Sequence, residues 1–151
     1  MNYSELKILP MNISDLDKIR NTLEQDYDNF WNYEIFKEEL GNNNSSYLLL
    51  QYESEFVSYG GLKIILDEAE LMNIVTKKDK RHMGFAKLLL KSLISLAQEK
   101  QCTKINLEVN ENNKNAIKLY ESFGFKTVGL RKKYYNNVDN AILMTLDLNG
   151  F

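Results

Sequence analysis

The run from residue 84 to residue 110 narrows the fold most. Phe85, Leu89, Leu93 and Leu96 recur at intervals of four, four and three, and Leu88 and Ala97 widen the stripe, which predicts an amphipathic helix. Polar residues 98–101 close it. Residues 104–110 then alternate strictly, with Ile105, Leu107 and Val109 on one face and Lys104, Asn106, Glu108 and Asn110 on the other, the period of a half-buried strand. A further strand is expected just upstream, over residues 70–76. Strand, helix and strand in succession make a crossover that lays the two strands parallel.

The rest of the chain supplies the other strands and the flanking helices. A strand is expected at residues 6–9, then a helix with Ser14 as its N-cap and Asp17 three residues on, followed by Leu16, Ile19 and Leu23 at helical spacing. Residues 25–33 carry Tyr27, Phe30, Trp31 and Tyr33, too aromatic for an ordinary solvated loop. A short helix over 33–40 ends at Gly41. Strands at 47–52, 56–66 and 70–76 follow with short connections, an antiparallel meander with a bulge expected at Gly60 and Gly61. A second long-range helix over 114–123 stops at Gly124, and strands at 125–134 and 141–148 complete the chain. The expectation is one α/β (α+β) domain over residues 1–151, a mixed, mostly antiparallel sheet of about seven strands flanked by about four helices.

Composition excludes several function classes. With 44% hydrophobic residues and a single proline, the chain can bury a core and shows no linker. A net charge of −2, from 19 basic and 21 acidic residues, argues against a dedicated nucleic-acid binder. One cysteine, Cys102, and one histidine, His82, allow no intrachain disulfide and no structural zinc, so no metal is expected. No apolar run is long enough to span a membrane or to serve as a signal peptide, and a reducing cytoplasm is the expected compartment. Cys102, with no base beside it in sequence, reads as structural.

The run from Arg81 to Ala86 lies where a strand hands over to the long helix. Amide groups and the dipole at a helix N-terminus attract anions, and Gly84 at the bend lets backbone approach a phosphate closely. Arg81 and Lys87 add positive charge, while neither a Walker motif nor a Gly-x-Gly-x-x-Gly fingerprint is present.

Arg81-x-x-Gly84-x-Ala86 resembles the pyrophosphate-binding motif of the GNAT superfamily of N-acetyltransferases, and Asn113-x-x-Ala116-x-x-Leu119-Tyr120-x-x-x-Gly124-Phe125 resembles its second signature. Leu66-Asp67-Glu68-Ala69, Met72-Asn73-Ile74, Leu107-Glu108-Val109, Arg131-x-x-Tyr134-Tyr135 and Asp139-x-Ala141-Ile142-x-Met144 are similar to the bacterial ribosomal-protein-alanine N-acetyltransferases, a likeness that runs through nearly the whole chain. The resemblance implies a sheet splayed in the middle, acetyl-CoA as co-substrate, and a protein N-terminus as acceptor, the alanine of a small-subunit ribosomal protein, with the enzyme a monomer or weak dimer. It implies that Ile74, Val75 and Thr76 run beside the pantetheine arm, that His82, Met83, Gly84, Phe85, Ala86 and Lys87 hold the pyrophosphate, and that Asn113 contacts the cofactor. Glu108 matches the family's proton acceptor and Tyr120 its proton donor; Trp31, Tyr134 and Tyr135 would wall the peptide groove. The chain departs from the family pattern at Lys77-Lys78, where an acid-Pro pair is more usual, at Ala86, where Gly is common, and at Phe30-Trp31, which lacks a nearby Pro.

The chemistry suits these residue types. A protein α-amino group titrates at about 7.7–8.0, so near neutral pH most of it must lose a proton before it can attack a thioester. A carboxylate such as Glu108 can take that proton, directly or through water. A thiolate leaving group, of pKa about 8.5, can be protonated by a phenol such as Tyr120. A backbone N–H near Val75 would stabilise the developing oxyanion. The alternatives are an acetyltransferase acting on a small amine or lysine side chain, and a non-catalytic acyl-CoA-binding regulatory domain, which would have no need of Glu108 and Tyr120.

Overall fold

In the computed structural model, which describes residues 3–27, 32–135 and 138–149, one sheet holds β1 (Leu6–Pro10), β2 (Ser45–Tyr52), β3 (Glu55–Ile65), β4 (Glu68–Thr76), β5 (Lys104–Asn110), β6 (Lys126–Tyr135) and β7 (Asp139–Asp147). The strand order is β1-β2-β3-β4-β5-β7-β6. The expected meander β2-β3-β4 and the parallel β4–β5 crossover are both present, and every other pairing is antiparallel. Helices α1 (Ile13–Ile19), α2 (Leu23–Asp26) and α3 (Tyr33–Leu40) lie between β1 and β2 in sequence. α4 (Phe85–Glu99) joins β4 to β5, and α5 (Lys114–Ser122) joins β5 to β6. No described helix is long and apolar enough to cross a membrane.

Local chemistry corrects one helix start. The cap of α1 is Asn12, not Ser14: its Oδ1 accepts from the Asp15 N–H at 3.1 Å while Asp15 Oδ2 accepts from the Asn12 N–H at 2.8 Å. This reciprocal box satisfies two backbone donors at once and starts the helix at Ile13. The helix then breaks at a 3₁₀ turn over Arg20–Thr22, so Leu23 opens a separate turn of helix.

Two cores sit on opposite faces of the sheet. One gathers Phe85, Leu89, Leu90, Leu93, Ile94 and Ala97 of α4 against Leu71, Ile105, Leu107, Val109, Met144 and Leu146 of the strands. The α4 stripe is thus rotated from the sequence reading: Leu90 and Ile94 are buried, while Leu88 and Leu96 are only partly buried at its margin. The other core is largely aromatic and holds Leu16, Tyr27, Phe36, Tyr47, Tyr59 and Val75. Gly61 is required there, because a Cβ at this position would lie 2.4 Å from the Tyr47 ring.

β4 and β5 pair only at Glu68↔Lys104, Ala69↔Ile105 and Glu70↔Asn106. Beyond Glu70 they part. The cause is visible on the other edge of β4: the register with β3 runs from Leu62↔Leu71 to Gly60↔Ile74, so β4 carries an extra residue opposite Gly61. A bulge bends its strand and raises the local twist, which swings the end of β4 away from β5.

Candidate active site

The gap between the splayed strands exposes backbone hydrogen-bonding groups. The Lys77 N–H donates to Val57 O at 2.8 Å, in register with Tyr59↔Val75. Antiparallel ladders alternate, so Val75 also turns its N–H and C=O toward β3, and Ile74 and Thr76 turn theirs toward the gap. The Val75 carbonyl accepts a further bond from Ser58 Oγ at 2.9 Å. An N–H aimed into the gap near Val75 is therefore that of Ile74 or Thr76, not that of Val75 itself.

At the mouth of the gap, the chain leaves β4 through Lys77–Met83 and enters α4. Lys77 and Lys80 are tied to Glu55 at 2.8 and 3.3 Å, which anchors this segment to the start of β3. His82 has φ 65° and Gly84 has φ 86°, both in the left-handed region. No atom lies within 4 Å of where a Cβ on Gly84 would sit, so the space before the helix is open. Gly84 caps α4 without any side-chain hydrogen bond, and the first turn of the helix contains no acidic residue. Amides of a first helical turn left uncapped by side chains, at the positive end of a 15-residue helix, form a site for an anion.

Glu108 stands on the opposite face of the sheet. Ile105, Leu107 and Val109 point into the α4 core, so Lys104, Asn106, Glu108 and Asn110 face the side that carries α1 to α3. Among the described residues, the core under those helices draws none from β5, β6 or β7. Beyond it, Arg131 Nη2 of β6 lies 2.9 Å from Glu108 Oε1, and the Arg131 guanidinium sits 4.7 Å over the Tyr134 ring. Asn106 Nδ2 donates to Glu68 Oε1 at 2.9 Å and Thr145 Oγ1 donates to Asn106 Oδ1 at 2.7 Å, fixing the row beside it. Glu70, on the same face, has its carboxyl pushed above the ordinary range by burial, with the charges of Glu108 and Glu68 acting the same way against a hydrogen bond to Asn106.

Tyr120 is carried by α5, which packs on the α4 side of the sheet. Its half-buried ring lies 5.7 Å from Phe125 and borders the α4 core. Glu108 and Tyr120 therefore belong to opposite faces, and the gap beyond Glu70 is the opening between those faces.

The model of the acetyltransferase (GNAT) family matches residues 15–125. The chain belongs to the acetyltransferase (GNAT) family. It is 36% identical over 115 residues to a ribosomal protein bS18-alanine N-acetyltransferase of Haemophilus ducreyi, covering 72% of this chain and 79% of that one. It is 31% identical over 121 residues to the enzyme of that name from Escherichia coli, covering 78% and 81%. The crystal structure of the ribosomal-protein-S18-alanine N-acetyltransferase from Escherichia coli superposes with a TM-score of 0.86 at 26% identity, over 95% of this chain and 94% of that chain.

The residues present fit the co-substrate of a GNAT acyltransferase. The open, uncapped start of α4 matches a pyrophosphate, and the outward backbone of Ile74 and Thr76 matches an amide-bearing arm laid in the gap. Among the residues expected to hold it, His82, Met83 and Lys87 are exposed and Ala86 is half-buried, whereas the Phe85 side chain is core, 5.4 Å from the Tyr52 ring, so only its amide faces the loop. Asn113 is the cap of α5: its Oδ1 accepts from the Ala116 N–H at 3.2 Å, which leaves its amide nitrogen as the group that could meet a cofactor. Cys102 is buried, and burial pushes its thiol pKa up, away from nucleophilic use.

Of the residues expected to wall a groove, Tyr134 is half-exposed beside Arg131, Tyr135 ends β6 opposite Asp139, and Trp31 lies outside the described residues. Sequence reasoning missed Arg131 as a partner of Glu108, and Glu70 and Asn106 as its neighbours. Arg131 was part of a matched motif, but its contact crosses β7 and leaves no local pattern in the chain.

Proposed function

We propose that this chain transfers an acetyl group from acetyl-CoA to the N-terminal α-amino group of a protein, an alanine-starting ribosomal protein, in the cytoplasm. The observation that carries the reading is the placement of Glu108. It stands on the half of the sheet face outside the α1–α3 core, beside the gap whose other end is the open N-terminus of α4. An anionic carrier can enter from the α4 side while an amine approaches Glu108 from the opposite side. Acetyl-CoA, when bound, supplies an activated acyl carbon with a thiolate as leaving group.

The protein residues supply the remainder. The Ile74 and Thr76 backbone would pair with the pantetheine arm, and the residues from His82 to Lys87 would hold the pyrophosphate through amides and the charge of Lys87. Glu108 takes the proton of the acceptor amine, and Tyr120 Oη gives a proton to the departing sulfur. Tyr134, exposed beside Arg131, would meet the acceptor. The relatives named for acetylating an N-terminal alanine match over most of their length, which favours a protein acceptor over a small amine.

The test is acetyl transfer to N-terminal Ala peptides, to blocked peptides carrying Lys, and to small amines, with Glu108→Gln and Tyr120→Phe alongside the wild type. Acetylation confined to free Ala termini, with kcat lowered about 10²-fold or more in both variants, supports the reading, a loss on the scale of general acid–base catalysis. Binding of acetyl-CoA with no turnover of Ala peptides overturns it in favour of the small-amine or regulatory alternatives.

A further inference from the structure

We propose that Arg131 is a positioning residue for proton transfer: it fixes the Glu108 carboxylate through Oε1 and, by its charge, favours the neutral form of an amine held at Oε2. The inference rests on the reading of Glu108 as proton acceptor. In that step the amine nitrogen forms its bond to the acyl carbon as the C–S bond breaks; the nitrogen's proton passes to Glu108, and the sulfur keeps the electron pair and takes a proton from Tyr120.

The geometry separates Arg131 from an ordinary surface ion pair. A solvated pair of long side chains holds no single arrangement and contributes little. Here the guanidinium is held at two points, 2.9 Å from Glu108 Oε1 and 4.7 Å over the Tyr134 ring. The strand end that carries it is braced as well. Pairing between β6 and β7 shifts between Arg131 and Tyr135, where Lys133 takes φ 53°. The Lys133 N–H donates to Asn140 Oδ1 at 2.8 Å, and Asn140 Nδ2 donates to Glu111 Oε2 at 2.9 Å. The backbone two residues after Arg131 is thus tied to the loop that follows β5, the strand of Glu108.

The charges around Glu108 explain why a cation is needed there. Glu68 and Glu70 face the same side from β4, Asp139 sits at the start of β7, and Glu111 follows β5. Against them stand Lys104 at the far end of β5 and Arg131 beside the carboxylate. Burial is the main cause that raises the Glu70 titration, and the charges of Glu108 and Glu68 add to it in the same direction. An ammonium brought to such a surface is held in its charged form, which binds well and cannot attack. Arg131 offsets that field at the one carboxylate where the proton must leave.

The experiment measures kcat and peptide KM between pH 6 and pH 10 for an N-terminal Ala hexapeptide with saturating acetyl-CoA. It compares the wild type, R131Q, R131K and E108Q, with thermal midpoints to confirm folding. In R131Q the acidic limb of kcat moves up by about one pH unit, the lower end of the effect of a nearby charge. Its kcat at pH 7 falls about tenfold and recovers above pH 9, and its peptide KM falls with the stronger hold on the ammonium. R131K, which keeps the charge, restores at least half of the shift. A limb that stays in place in R131Q, or a loss of kcat that high pH does not restore, overturns the proposal. So does an R131K profile that matches R131Q. If E108Q keeps the wild-type kcat, the reading of Glu108 fails first; if E108Q is inactive and the R131Q limb does not move, only the role of Arg131 fails.

Discussion

The two faces of the sheet are built to different ends. The α4 face is aliphatic and continuous: one 15-residue helix lies on β2 to β5, and the same core reaches Met144 and Leu146 of β7. The α1–α3 face is aromatic and partial, its core closed by residues from the N-terminal part of the chain through β4. The difference teaches where function can sit. A face packed from β1 across to β7 gives rigidity, and its helix offers a ligand its N-terminus. On the other face the described core stops at β4, and Glu108 and Arg131 stand beyond it on strands held from behind.

The largest test of that contrast is Leu93→Ala. Leu93 is fully buried at the centre of the continuous face, and removing it should cost about 2–5 kcal/mol of global stability in urea denaturation. A loss below about 1 kcal/mol would show that the α4 core is not the scaffold. Glu108→Gln, on the other face, should leave the same denaturation curve within about 0.5 kcal/mol of the wild type, the usual range for surface substitutions.

Gly61→Ala tests the junction of the two faces. Its Cβ would overlap the Tyr47 ring at 2.4 Å, directly opposite the bulge that opens the gap. Overpacking of this kind costs about 1–3 kcal/mol. Because the strain falls on the bulge, acetyl-CoA affinity should drop beyond what Leu93→Ala causes at equal fraction folded, read by calorimetric titration. Tyr47→Leu in the same chain should recover affinity by making room for the new methyl group.

Gly84→Ala is smaller and cleaner. Space is open around the new Cβ, so only the left-handed backbone resists it, at about 1 kcal/mol. Stability should fall by that amount in urea while acetyl-CoA binds more weakly, since the methyl enters the space before α4. Unchanged affinity would remove this loop from the cofactor site.

The same contrast explains what the sequence made legible. α4, the alternation of β5 and the meander are set by local periodicity against a packed core, and their spans appear in the structure within a residue or two. The exact buried set of α4 did not follow, because which flank of an amphipathic stripe is covered depends on the sheet beneath it: Leu90 and Ile94 went under, Leu88 and Leu96 stayed at the margin. The Asn12 cap was missed because Ser14 and Asp17 offer the same spacing two residues later, and only the reciprocal bonds of Asn12 with Asp15 choose between them. Gly84 and Glu108 were marked by motif. Arg131 was not given a role, since a contact made from β6 across β7 leaves no period in the chain.

The smallest effect concerns a second carboxylate, Glu55, which makes the comparison within one residue type. Arg131 holds Glu108 on the face of α1–α3; Lys77 and Lys80 hold Glu55 where the segment before α4 meets β3. The hydrogen bond from Lys77, at 2.8 Å, is the main reason the Glu55 carboxyl titrates below its ordinary value, against a smaller desolvation effect. The pairing therefore contributes stability above the unfolded carboxyl pKa of about 4.3 and loses it as pH falls through the lower folded value. Lys77 titrates above its ordinary value because of the same bond, so its share is present below the unfolded pKa of about 10.4 and fades as pH rises past that. Glu55→Gln should cost less than about 1 kcal/mol at pH 7, since the pair is only partly buried and is screened by salt. The difference from wild type should shrink toward zero below pH 4. A pH-independent difference would mean that Glu55 acts by shape alone. A large loss of kcat in Glu55→Gln, with Glu108→Gln still active, would move the chemistry to the other carboxylate and reverse the assignment of the two.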